Sequence, residues 1–170
     1  MYTLLKASDF INHDVLHGGD VLVLRKWSNL HKSGEWRVFV SSGQVLAVAQ
    51  RDCLASYPFL FMEKDAVTGK IVDFHEREVK GKFKEEKFVM DVYVDRNRRV
   101  WLVDFNVYSD VTEAGLFEWK EILDLEERAR EGILLSPEVR LVMEEKEVKA
   151  DPLARYGEHA FVVKRRVWKA

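Results

Sequence analysis

A single cysteine, Cys53, stands among 170 residues. One thiol excludes an intrachain disulfide framework and any structural zinc site built from several thiolates, and it suits a reducing, cytoplasmic location. Prolines number three, Pro58, Pro137 and Pro152, and there is no low-complexity stretch and no internal repeat. With no obvious interdomain linker, one domain over residues 1–170 is expected. No run of eighteen apolar residues occurs, and the start, MYTLLKASDF, lacks the basic-then-apolar pattern of a secretory signal, so neither a membrane partner nor secretion is expected. Charge of one sign is missing too: 27 Lys and Arg face 29 Asp and Glu, a net charge of −2. Such a chain has no global field to draw nucleic acid. The tail Lys164-Arg165-Arg166 beside Trp168 is thin support for RNA binding, which is not expected. The five histidines show no HxH or HExxH spacing, and no GxSxG, Walker loop or GxGxxG occurs.

What is present is apolar mass: 47% hydrophobic residues, including five Trp, ten Phe and five Tyr, enough for one well-filled core. Asp20 to Trp27 is a β-branched apolar run after His17-Gly18-Gly19 and predicts a buried strand. Glu35 to Val40 and Gln44 to Arg51 flank Ser41-Ser42-Gly43 and predict a hairpin, with Trp36, Val38 and Val40 on one face and Glu35, Arg37 and Phe39 on the other. Between Met62 and Phe83 the positions Ala66, Val67, Ile71, Phe74 and Val79 recur at helical intervals, predicting one long or broken helix. Lys87 to Asp95 and Val100 to Asn106 predict a second hairpin around Arg96-Asn97-Arg98-Arg99. Phe117 to Arg130 predicts a surface helix ended near Gly132. Glu138 to Val148 and Phe161 to Trp168 are further strand candidates. Strands gathered into hairpins with helices between them predict an α+β fold with a mainly antiparallel sheet and flanking helices.

One constellation carries chemistry. Alternation aims Asp104 and Asn106 at one face of their strand, and a tight hairpin brings Asp91 alongside them. Two carboxylates and an amide oxygen suit magnesium, a hard cation that takes one or two carboxylates and completes its shell with water and phosphate. The plainer reading, Asp residues making turn hydrogen bonds at strand ends, stays open. Arg37 and Arg51 offer guanidinium forks that match phosphate oxygens, and Ala47 and Ala49 leave room for a ligand on their face. Equally, each arginine can pair with a neighbouring carboxylate. A three-residue hairpin loop puts the two arginines on one side of the sheet, and a two-residue loop puts them on opposite sides. Cys53 reads as an inert residue.

Read in order, LLKASDF, VLVLRKW, EWRVFV, AVAQRD, FVMDVYVD, VWLVDFN and LFEWKEI resemble successive signature segments of the cell division cycle protein 123 family. The likeness runs from Leu4 through Ile122 and resumes weakly at Arg155-Tyr156-Gly157. It implies the carboxy-terminal lobe of an ATP-grasp fold, in which ATP lies between two α+β lobes. It also implies a role in assembling eukaryotic translation initiation factor 2 through its gamma subunit. On this resemblance Asp91, Asp104 and Asn106 are the magnesium ligands, Arg37 and Arg51 contact phosphate, and Lys26 and Trp27 lie on the hinge beside adenine. The family's amino-terminal lobe has no counterpart in the sequence, so nucleotide affinity is expected to be weak unless another chain supplies that lobe. The implied activity is that of an ATP- and magnesium-dependent binding protein rather than an enzyme. Two alternatives stand beside it: a carboxylate–amine ligase, for which no acceptor site is assignable, and a degenerate half-domain kept as an interaction module.

Overall fold

A computed structural model describes residues 29–143 and 166–169. The predicted strand Asp20 to Trp27, the hinge residues Lys26 and Trp27, and the segment 144–165 lie outside the described residues.

Apolar alternation builds the centre of the fold. Strands β1 (Glu35–Ser41) and β2 (Gln44–Gln50) form a hairpin, and β3 (Lys87–Val94) and β4 (Val100–Val107) form another. With β5 (Glu138–Met143) and β6 (Arg166–Lys169) they make a six-stranded sheet in the order β4-β3-β1-β2-β5-β6. Every pairing is antiparallel except the parallel one of β2 with β5. The α+β expectation therefore holds, with that one parallel join.

Trp36, Val38 and Val40 point to one face, where Phe88, Met90 and Val92 of β3 join them. Helix α1 (Phe59–Phe74) covers this face with Leu60, Val67 and Ile71. Each such side chain contributes roughly 1.5–3 kcal/mol by leaving water. Thr68-Gly69 does not break α1; its last turn widens into a π-helical stretch, His75–Val79, that puts Val79 into the same core. On the opposite face Phe39, Leu46, Ala47, Ala49 and Val89 pack under helix α2 (Trp119–Arg130). The start of α2 is fixed locally. Glu121 Oε2 accepts the Glu118 N–H at 2.9 Å, and Phe117 and Ile122, flanking that turn, enter the same cluster as a hydrophobic staple. Ala47 and Ala49 are fully buried: their small size makes room for α2, and not for a ligand as their sequence neighbourhood suggested.

Two bulges decide which side chains share a face. The β1–β2 turn holds two residues, Ser42 and Gly43, both with positive φ (50° and 73°), the backbone of a tight hairpin turn that glycine favours at its second position. A regular ladder from that turn would set Arg51 on the face opposite Arg37. The pairing instead skips Leu46, passing from Val40↔Val45 to Phe39↔Ala47, so Arg37 lies opposite Ala49. The Arg51 N–H donates to the Glu35 carbonyl at 2.9 Å, which places Arg51 on the Arg37 face. The expected link between a two-residue loop and opposite faces is thus overturned by one extra residue. The second hairpin repeats the device. Counted from the Val94↔Val100 pair, regular alternation would put Asp104 opposite Met90 and into the α1 core. The ladder skips Val103, and Asp104 faces Asp91.

Candidate functional site

These shifts open a groove of about 660 Å³ whose walls include Lys32, Glu35, Arg51, Asp91, Asp104 and Glu113. At its floor Asp91 is gripped by Arg37 in a two-pronged ion pair: Nε donates to Oδ1 and Nη2 to Oδ2, each at 2.8 Å. Arg37 is 4% exposed and Asp91 15%. Its third nitrogen, Nη1, donates to the backbone carbonyl of Glu113. The hydrogen bonds to Asp91 hold Arg37 yet more firmly protonated, against the opposing effect of burial.

Sequence reading gave Arg37 the part of a phosphate contact. In the structure all three of its nitrogens are engaged by protein, and it acts as a buckle joining β1, β3 and the loop after β4. Arg51 differs. It is 33% exposed and its contacts are longer, 3.7 Å from Nε to Asp91 Oδ2 and 3.7 Å from Nη1 to Glu113 Oε2. Of the two arginines, Arg51 is the one free to turn toward a ligand.

Asp91, Asp104 and Asn106 do come together. Asp104 is exposed, with Oδ1 accepting the Phe105 N–H at 2.9 Å. Asn106 Nδ2 donates to Asp91 Oδ2 at 3.3 Å, which leaves its amide oxygen as the acceptor a cation would use. Among the described residues no three His, Cys, Asp or Glu side chains gather as a metal cluster. A divalent ion here would have two carboxylates and one amide, with the rest of its shell from water and its ligand. Magnesium fits that donor set, and zinc does not.

Several residues of the site gave no signal in the sequence. Glu113 sits in a loop without periodicity. Gln50, 1% exposed, donates through Nε2 to the carbonyls of Asp52 (2.7 Å) and Ala55 (2.6 Å), clamping the turn that follows Arg51. Asp52 then takes the Leu54 N–H at 3.0 Å and the Tyr57 hydroxyl at 2.8 Å. Burial works against the Asp52 charge, but these donors outweigh it and hold the carboxyl below its usual range. Tyr57 is pushed up to about 12 by burial and by that same bond.

A family model described as D123 matches residues 1–163. The translation initiation factor eIF2 assembly protein of Dictyostelium discoideum is 42% identical over an alignment of 135 residues that covers 72% of this chain and 35% of that protein. Cell division cycle protein 123 of Phaeosphaeria nodorum is 37% identical over 142 residues, 74% of this chain and 37% of that one. The solved structure of Cdc123 from Schizosaccharomyces pombe superposes with a TM-score of 0.58 at 34% identity, covering 72% of this chain and 53% of that chain. The chain thus spans between about a third and a half of the length of the curated relatives it matches.

Proposed function

This chain belongs to the D123 family, and from that premise we propose that it serves in the assembly of translation initiation factor eIF2, holding Mg-ATP in the groove while it engages the gamma subunit. The assembly role rests on the names its relatives carry. The nucleotide role rests on one observation, the charge of the groove. Five carboxylates (Glu35, Asp52, Asp91, Asp104, Glu113) line it against two cations, Lys32 and Arg51. A polyphosphate alone is repelled by such walls, whereas a divalent ion between them and the phosphates relieves both charges.

In this reading Asp91, Asp104 and Asn106 would hold the ion, which would supply positive charge to offset that of the phosphates. Arg51 meets phosphate, and Arg37 keeps Asp91 oriented. Lys26 and Trp27, outside the described residues, would flank adenine. The role in this reading is that of a binding protein.

Calorimetric titration of Mg-ATP at millimolar concentration tests the site. Asp104→Ala is expected to weaken coupled binding by about 1.5–3 kcal/mol, on the order of ten- to a hundredfold, while Glu127→Ala on the exposed side of α2 changes nothing. Equal affinity of wild type and Asp104→Ala would remove the metal role. Co-purification with the eIF2 gamma subunit tests the partner. Recovery by an intact relative and none by this chain would confine the assembly role to longer proteins.

A further inference from the structure

We propose that Glu113 is a specificity-determining residue of the groove: its carboxylate engages Arg51 when no anion is bound, and makes access of a polyphosphate conditional on a divalent cation. This rests on the reading that the groove receives phosphate.

An exposed glutamate beside an arginine is ordinarily worth little, and Glu113, with a side chain 71% exposed, adds little to stability. Its placement is what matters. The backbone beneath it is fixed from three directions. Arg37 Nη1 takes the Glu113 carbonyl, Trp119 Nε1 takes the Thr112 carbonyl at 2.7 Å, and the Thr112 hydroxyl donates to the Val107 carbonyl at 2.7 Å. The buried Arg37 therefore holds Asp91 with two nitrogens and the base of Glu113 with the third. Cation floor and acidic rim are set by one guanidinium.

From that fixed base the Glu113 carboxylate reaches Arg51 Nη1 at 3.7 Å, and Arg51 Nε lies 3.7 Å from Asp91. Arg51 is thus shared between two carboxylates at distances too long for hydrogen bonds, a hold that a phosphate oxygen at normal distance displaces. A bare polyphosphate reaching Arg51 meets the Glu113 charge within a few ångströms. Like charges so placed near a protein surface change a dissociation constant by roughly tenfold or more. A polyphosphate that arrives with a divalent ion presents much less charge to Glu113, and the ion gains Asp91 and Asp104.

The probes are inorganic tripolyphosphate and ATP, each titrated with magnesium and with EDTA into the full chain as wild type, Glu113→Gln and Glu127→Gln. Glu113→Gln is expected to tighten metal-free tripolyphosphate by about tenfold and to move the magnesium form by less than about threefold. The metal dependence of affinity therefore shrinks, and the difference fades toward 1 M salt. Glu127→Gln moves neither value, which rules out a net-charge effect. An unchanged metal dependence in Glu113→Gln overturns the proposal, even where wild type binds Mg-ATP and the nucleotide reading stands. Conversely, if ATP binds no better than tripolyphosphate while Glu113→Gln shifts the metal dependence, the nucleotide reading fails and the role of Glu113 stands. Binding of neither probe by any form overturns both.

Discussion

In the β1–β2 hairpin the extra residue of the bulge, Leu46, is wholly buried beneath α2, whereas its counterpart in the β3–β4 hairpin, Val103, is half-buried on the edge strand. Both bulges do the same geometric work, moving one charged side chain onto the face of its partner. The first brings Arg51 to Arg37, and the second brings Asp104 to Asp91. Their support is unequal. The inner hairpin is flanked by β3 and β5 and roofed by a helix on each face, so its register is held by the core. The outer one is flanked on one side only, by β1, and the exposed residues of its edge strand β4, Trp101, Asp104 and Val107, contribute little packing. The site therefore joins a rigid half, Arg37 with Asp91, to a half on an edge strand, Asp104 with Asn106. In the proposed reading, that division puts the two outer ligands on the strand the sheet constrains least.

The contrast is broken most directly at its rigid half. Asp91→Ala leaves the Arg37 guanidinium buried without its partner, and removal of one member of a buried pair costs about 3–5 kcal/mol. Urea unfolding is expected to show that loss. A change below about 1 kcal/mol would mean that Arg37 is not confined as described. Next come the bulges themselves. Leu46→Ala is expected to cost about 2–5 kcal/mol by opening a cavity in the core, and Val103→Ala less than about 1 kcal/mol. Similar losses at both positions in the same unfolding experiment would abolish the distinction between them.

A third test concerns the α1 side of β3. His75 is 1% exposed against Phe88, and neither ring nitrogen has a hydrogen-bond partner. Glu76 lies 3.8 Å from Nδ1, too far to bond. Burial lowers the imidazole below its ordinary 6.5, outweighing the Glu76 charge. Between the folded value and 6.5 the unfolded chain binds more protons, so stability is complete above about pH 7 and falls as pH drops below 6.5, by up to about 1.4 kcal/mol per pH unit. Thermal melts from pH 7.5 to 5.5 should show this slope in wild type and not in His75→Phe, which should also gain about 1 kcal/mol by removing the unpaired nitrogens. The smallest effect is expected at the outer ligand. Asp104→Ala should alter stability by less than about 0.5 kcal/mol while weakening Mg-ATP, showing that the edge half of the site binds without bracing.

Much of this was legible in the sequence, for a physical reason: apolar runs on either side of polar turns marked both hairpins, and period-two alternation assigned Trp36, Val38 and Val40 to one face and Arg37 and Phe39 to the other. The helix spanning Val67 and Ile71 was legible from its period. Bulges were not, because an extra residue leaves no local mark and is decided by what packs above it. For the same reason the commitment of Arg37 to Asp91 and to the Glu113 carbonyl was out of reach, since the latter contact joins residues 76 apart. The parallel join of β2 and β5 was equally hidden, because apolar runs reveal strands but not their neighbours.

That parallel join sets the order in which the molecule is made. The hairpins and α1 close over short spans of chain, but the Val142 amide donates to the Gln50 side chain across 92 residues. Loop closure makes such contacts late. A nascent chain emerging from the ribosome therefore carries the apolar strand β2 with one edge bare until β5 is translated. An unpaired strand of this kind templates pairing with other chains. A chain halted before Glu138 would keep both halves of the groove in its sequence and still expose the edge of β2 that β5 covers in the finished fold.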